Sequence, residues 1–174
     1  MNMFDVIVIG GGHAGCEAAH ASARLERKVA LITLKKDGIG QMSCNPAIGG
    51  IGKSHLAREI DALDGLMSKI ADHSALQRRK LNARKGPAVQ ATRIQTCRDT
   101  YKKKMQHAIF SHQNITVIEA MVSSLIVKDN LVLGVRIDSD NKEVFAKSVV
   151  LTTGTFLGGK IHIGQKSFSS GRVG

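Results

Sequence analysis

Phe4-Asp5-Val6-Ile7-Val8-Ile9 run without a break into Gly10-Gly11-Gly12-His13-Ala14-Gly15, and that junction constrains the fold more than any other part of the chain. An apolar run this short, ending in G-x-G-x-x-G and followed by the alanine-rich stretch from Cys16 to Ala23, reads as strand, tight turn and helix. Each glycine has a physical task. Gly10 permits the turn, Gly12 lets a pyrophosphate come close to the backbone, and Gly15 lets the helix sit against the strand. Gly11, His13 and Ala14 complete the turn, and the helix N-terminus presents unpaired N–H groups and a partial positive charge to a phosphate. A second apolar run, Val29-Ala30-Leu31-Ile32, closes a βαβ unit over residues 4–34. The pattern points to a bound dinucleotide; the alternative is a glycine turn that only packs.

Which dinucleotide is meant depends on two further places. A nicotinamide-binding unit has Asp or Glu about 20 residues beyond the glycines to hold the ribose hydroxyls. Here that position reads Ile32-Thr33-Leu34-Lys35, so Thr33 offers only a hydroxyl, and a simple NAD dehydrogenase loses ground. Val149-Val150-Leu151-Thr152-Thr153-Gly154 has the apolar-Thr-x-Gly ending with which a later strand returns to the sheet in two-dinucleotide flavoproteins. FAD therefore stands ahead of NAD, while a buried strand ending at a turn remains the alternative.

Between these strands the chain is irregular. Gln41 to Lys53 holds three glycines and a proline and cannot be helical throughout. Leu56, Ile60, Leu63 and Leu66, then Met67, Ile70 and Ala71, recur at helical spacing and predict one or two helices. Arg78 to Pro87 reads as a basic loop closed by Gly-Pro, and Thr92 to Phe110 as one long helix. Four apolar runs, Ile115–Ile118, Val122–Val127, Leu131–Ile137 and Val144–Ala146, predict a β-meander. The domain reading is a Gly-rich loop and helical insertion over 38–110, a meander over 115–147 and a returning strand over 149–154. The chain ends in a polar glycine-rich stretch with no closing element, from which the expectation is a piece of a larger α/β protein.

Composition narrows the function classes. Cys16, Cys44 and Cys97 are the three cysteines, with no C-x-x-C pair, so neither a disulfide framework nor a zinc site is indicated. No apolar run approaches the roughly 18–20 residues that cross a bilayer, and the cytoplasm is the expected compartment. A formal net charge of +11 attracts polyanions, which suits a nucleic acid and equally a merely soluble, lysine-rich surface. With aromatics at 3% and no Trp, a base-stacking platform is disfavoured. Cys44 sits in a glycine-laden segment that can approach a ligand, where a lowered pKa would make it a nucleophile; an inert thiol is the plainer reading. His13 faces either solvent or the cofactor, and His162 has no partner at metal spacing. Lys53-Ser54 does not complete G-x-x-x-x-G-K-S/T, which excludes a P-loop NTPase. The Arg78 to Lys85 cluster suits either phosphates or solvent.

Taken together, Gly10 to Gly15, Gly40 to Lys53, Asp61-Ala62-Leu63 with Gly65-Leu66-Met67, Leu81-Asn82 with Lys85-Gly86-Pro87-Ala88-Val89, and Thr153 to Leu157 with Gly159 to Gly164 resemble a known family. It is the tRNA uridine 5-carboxymethylaminomethyl modification enzymes, the MnmG or GidA family. The resemblance covers nearly the whole chain but only the N-terminal part of the family's flavin domain. It implies a Rossmann-like FAD-binding fold, incomplete here, in which Gly10 to Gly15 hold the FAD pyrophosphate and Val122 contacts FAD through its backbone. Cys44 matches the first of the family's proposed nucleophilic cysteines. The implied reaction builds the carboxymethylaminomethyl or aminomethyl group on carbon five of the wobble uridine of tRNA. It uses NADH and methylenetetrahydrofolate, with an MnmE-type GTPase as partner and a homodimer as the assembly. The length implies that this chain binds FAD weakly or not at all unless a second fragment completes the sheet, and that it is not expected to catalyse the full reaction alone; the alternative is a non-catalytic RNA- or protein-binding remnant.

Overall fold

The computed structural model describes residues 3–138 and 142–171. Strand β1 (Phe4–Ile9), helix α1 (His13–Arg24) and strand β2 (Val29–Thr33) form the βαβ unit, with β1 and β2 parallel from Val6↔Val29 to Ile9↔Ile32. A short strand β3 (Ala47–Gly49), helices α2 (Ser54–Ala62) and α3 (Leu66–His73), strands β4 (Ala75–Leu81) and β5 (Ala91–Thr96) and helix α4 (Arg98–Phe110) follow. Then come β6 (Ile115–Glu119), β7 (Val122–Lys128), β8 (Leu131–Ile137), β9 (Lys142–Leu151) and a hairpin of β10 (Lys160–Ile163) and β11 (Lys166–Ser169). The main sheet has the order β6-β2-β1-β9-β8-β7; β3-β5-β4 form a separate antiparallel sheet.

Alternation along β1 decides the core. Val8 faces α1, α3 and α4 in a cluster with Cys16, Ala19, Leu31, Tyr101, Met105 and Ile109. Ile7 and Ile9 face the other way, against Ala30 and Ile32 and residues of β8 and β9. Both faces of the central strands are therefore covered, which accounts for their unbroken apolar runs.

Several elements differ from the sequence reading. Thr92 to Thr96 is strand, not the start of a helix: β5 lies between β3 and β4, and α4 begins only after Cys97. The Thr-x-Ile-x-Thr alternation suits a pleat, and cross-strand pairing prevails over the helical spacing that follows it. Arg78 to Leu81 likewise belong to β4, leaving only the second half of the basic stretch as loop. Ile115–Ile118 is not part of the meander; β6 pairs in parallel with β2 at the sheet edge. The runs at Val144–Ala146 and Val149–Leu151 are one strand. The first half of β9 pairs antiparallel with β8 and the second half parallel with β1, and the Lys147 ammonium bonds Asp5 at 2.7 Å where a break was expected. The end of this strand is only partly buried, with Leu151 54% exposed. Beyond it the chain does form a further element, the β10–β11 hairpin; Ser139 to Asn141 and Arg172 to Gly174 lie outside the described residues.

A long-range cap ties α1 to α3. The N-cap of α3, Gly65, carries no side-chain cap, and the Glu17 carboxylate accepts from the N–H groups of Leu66 at 3.0 Å and Met67 at 2.5 Å. Glu17→Ala strands both donors and is expected to destabilise by about 1–2 kcal/mol, lowering the melting temperature by about 3–6 °C. A thermal melt within about 1 °C of the parent would refute this role.

The outer part of α1 carries a pH-sensitive group. His20 stacks edge-on to His112 at 6.0 Å, its Nδ1 is buried without a partner among the described residues, and its pKa is lowered to about 4, mainly by burial, then by Arg24, His112 and Lys69, with Asp64 opposing. A depressed histidine is neutral when folded and charged when unfolded, so its contribution is complete above pH ~6.5 and is lost as pH falls toward 4. Part of the ring reaches solvent, which limits the effect to about 1–2 kcal/mol. Urea midpoints at pH 7 and pH 4.5 should therefore differ less in His20→Leu than in the parent, and parallel midpoints in the two proteins would exclude it.

Candidate functional site

The carboxyl ends of β1, β2, β6 and β9 lie along one edge of the parallel sheet, where open α/β sheets bind ligands. The glycine turn occupies the centre of that edge. Gly10 has φ +108°, and a Cβ there would lie 2.3 Å from the Thr152 carbonyl oxygen. Gly15 is closed by the turn at the end of β1, because a Cβ would lie 1.8 Å from the Gly10 oxygen. Gly11 is enclosed by Thr33 and Ile39, with 2.8 Å to the Thr33 hydroxyl. Gly12 is different: a Cβ there would meet nothing within 4 Å.

Gly12 is also the N-cap of α1, without a side-chain cap and with no acidic residue in the first turn. The first N–H with a partner in the helix is that of Cys16, bonded to the Gly12 oxygen at 2.9 Å. The N–H groups of His13, Ala14 and Gly15 thus have no partner within the helix and lie at its positive end, beside the open space at Gly12. A side chain at Gly12 would occupy that space, so the residues present fit a pyrophosphate.

His13 is drawn inward. Its ring lies 5.6 Å from that of Tyr101, its Nε2 is buried without a partner among the described residues, and burial lowers its pKa. It is therefore neutral at pH 7 and adds no charge to the turn. Burial also pushes the Cys16 thiol up to about 12, which makes it a core residue and not a nucleophile.

Val122 opens β7, opposite Ile137. The bend before it is tied to the end of β2, since the Ala120 N–H donates to the Thr33 oxygen at 2.9 Å. Val122 thus lies near the same sheet edge as the turn. Thr33 is turned toward Gly11, while Glu119, at the end of β6, accepts from the Lys36 N–H at 2.6 Å. Thr152, not singled out by itself in the sequence, lies with its hydroxyl 2.8 Å from the Ile9 oxygen and 3.2 Å from that of Gly10, locking β9 to the turn.

Cys44 is exposed. Its segment starts beside the turn, where Ile39 flanks Gly11 and Gly40 packs on Met105. Met42 is buried and receives the Thr96 hydroxyl at 3.4 Å, while the Arg98 guanidinium donates to the Cys44 carbonyl at 2.6 Å. Four residues of chain reach at most about 14 Å, so the Cys44 backbone stays within that distance of Gly40. The thiol is thus held near the turn but faces outward. No cluster of metal-binding side chains occurs among the described residues, His162 included, and no described helix is long and apolar enough to cross a membrane.

Comparison with known proteins agrees with this geometry. GidA from Aquifex aeolicus superposes with a TM-score of 0.93 at 50% sequence identity, over 98% of this chain and 28% of that one. The chain thus spans little more than a quarter of that protein. A GidA-related protein from Thermus thermophilus has a TM-score of 0.64 at 18% identity, over 99% and 62% of the two chains. PqsL of Pseudomonas aeruginosa, a probable FAD-dependent monooxygenase, has a TM-score of 0.60 at 15% identity, over 85% and 42%; these last two share the fold. The family model of glucose inhibited division protein A matches residues 5–174, and the chain belongs to that family.

Proposed function

We propose that this chain is the dinucleotide-binding part of an FAD-dependent tRNA-modifying enzyme that acts on carbon five of the wobble uridine. The observation that carries this reading is the open space at Gly12, at the uncapped N-terminus of α1, in a chain 50% identical to Aquifex GidA. The first-turn N–H groups of α1 hold the pyrophosphate, and the helix dipole favours its charge. Gly10 and Gly15 keep the turn close to β1 and β9. The backbone at Val122 contacts the same nucleotide, supported by its position beside the end of β2. When bound, the flavin supplies two-electron redox chemistry.

Cys44 is the nucleophile of this proposal. Its exposure, the anchoring of its segment at Met42 and the Arg98 contact support it, because they hold the backbone still while leaving Sγ accessible. NADH as reductant, methylenetetrahydrofolate as carbon donor, an MnmE-type GTPase as partner, a homodimer and a cytoplasmic location belong to the same proposal and follow from the family resemblance. The test is a titration of the chain with FAD, followed by flavin fluorescence. Saturable binding that disappears in Gly12→Val supports the reading; binding equal in both proteins overturns it.

A further inference from the structure

The β3-β5-β4 sheet has two unlike faces. Arg78 reaches Asp72 of α3 at 2.9 Å, and Arg58 of α2 lies 3.4 Å from the hydroxyl of Thr92, so the face carrying Arg78 and Thr92 lies under the helices. Side chains alternate along a strand, and Arg79 and Arg93 therefore project from the opposite face. They are also direct cross-strand partners. Opposite residues hold their Cβ atoms about 5 Å apart, and like charges so placed destabilise a sheet. Neither forms an ion pair among the described residues, and the same holds for Lys80, Arg84 and Lys85.

The loop that carries Arg84 and Lys85 is braced. The Asn82 amide donates to the Val89 oxygen at 3.1 Å, and the Gln90 amide to the oxygens of Lys85 at 2.9 Å and Ala83 at 3.4 Å. Its carbonyls are thus engaged inward while its cations stay free. Beside this face, along strand β4 and the loop after it, Arg79, Arg84, Lys85 and the exposed Ile51, with Lys80 from the helix side, line a concavity of about 520 Å³.

We infer that this helix-free face, with Arg79 and Arg93 at its centre and Arg84 and Lys85 on its rim, anchors the phosphate backbone of a structured RNA. The site is separate from the glycine turn and rests on the RNA half of the function proposed above. An arginine pair without a carboxylate neighbour becomes favourable when a phosphate lies between the guanidinium groups, which match its geometry in pairs. No aromatic residue stands among these cations, so the contact grips backbone and does not stack bases. Arg93 pairs with Gly49, five residues along from Cys44. At about 3.3 Å per residue that is at most about 17 Å, or about five charges along one nucleic-acid strand at ~3.4 Å each. A polymer held at the arginines therefore extends to the thiol, whereas a small anion does not.

The test measures binding of a fluorescein-labelled RNA hairpin to the chain across a salt series, with poly-glutamate as competitor. Arg79→Gln/Arg93→Gln should bind at least tenfold more weakly, and the slope of log affinity against log salt should fall by about 1.5. Its melting temperature should stay level or rise, because the like-charge pair is gone. Arg84→Gln/Lys85→Gln, in an exposed loop, provides a second reading and should show the same direction. Unchanged affinity and slope in both variants, no binding by the parent, or displacement of RNA by poly-glutamate at equal charge would each overturn the anchor. FAD titration of the same proteins reads the glycine turn alone, so an RNA failure with flavin binding intact is distinct from a failure of the dinucleotide reading.

Discussion

Gly12→Val is expected to leave the chain folded and to remove its saturable flavin binding, by at least a hundredfold or about 2.7 kcal/mol. The folding half follows from φ −74° at this position, which valine adopts without strain, and from the lack of any atom within 4 Å of the added Cβ. As an N-cap, valine costs little more than glycine here, about 1 kcal/mol at most. The binding half follows from the same open space, since the isopropyl group would occupy the place beside the first-turn N–H groups that a phosphate needs. Circular dichroism and flavin fluorescence on one sample separate the two. A variant that binds as the parent does would mean that the pyrophosphate approaches elsewhere.

Gly15→Ala should do the reverse. Alanine in place of a helical glycine ordinarily stabilises by about 1 kcal/mol. Here its Cβ would lie 1.8 Å from the Gly10 oxygen and 2.9 Å from the Thr152 hydroxyl. Backbone cannot yield as a flexible side chain does, so α1 must move away from β1 and open the cluster around Cys16, Ala19 and Tyr101. We expect a net loss of about 3 kcal/mol or more, seen as a fall of about 6–12 °C in melting temperature. A melt within about 2 °C of the parent would show that the helix has room the geometry denies. Two glycines three residues apart in one turn thus fail in opposite ways, one in binding and the other in folding.

The strand-turn-helix-strand unit was legible because every interaction that defines it is local. Gly10 must turn and Gly15 must approach whatever follows in the chain, and the apolar runs of β1 and β2 identify strands covered on both faces. The glycine spacing likewise located the candidate site, and the residues from Gly40 to Lys53 pointed to the family.

Tertiary structure decided the rest. Residues Thr92 to Thr96 carry a pattern that either period can claim, and only their partners on β3 and β4, distant in sequence, make them a strand. Lys147 and Ser148 read as a break in a chain that Asp5, far earlier, holds straight. Thr152 closes the glycine turn from the other end of the protein. Arg79 and Arg93 are two cations among many in a basic sequence until the sheet register sets them side by side on the uncovered face. Local spacing records what a residue's neighbours in the chain require of it; contacts that long loops bring together leave no period behind, and these were settled only by the folded backbone.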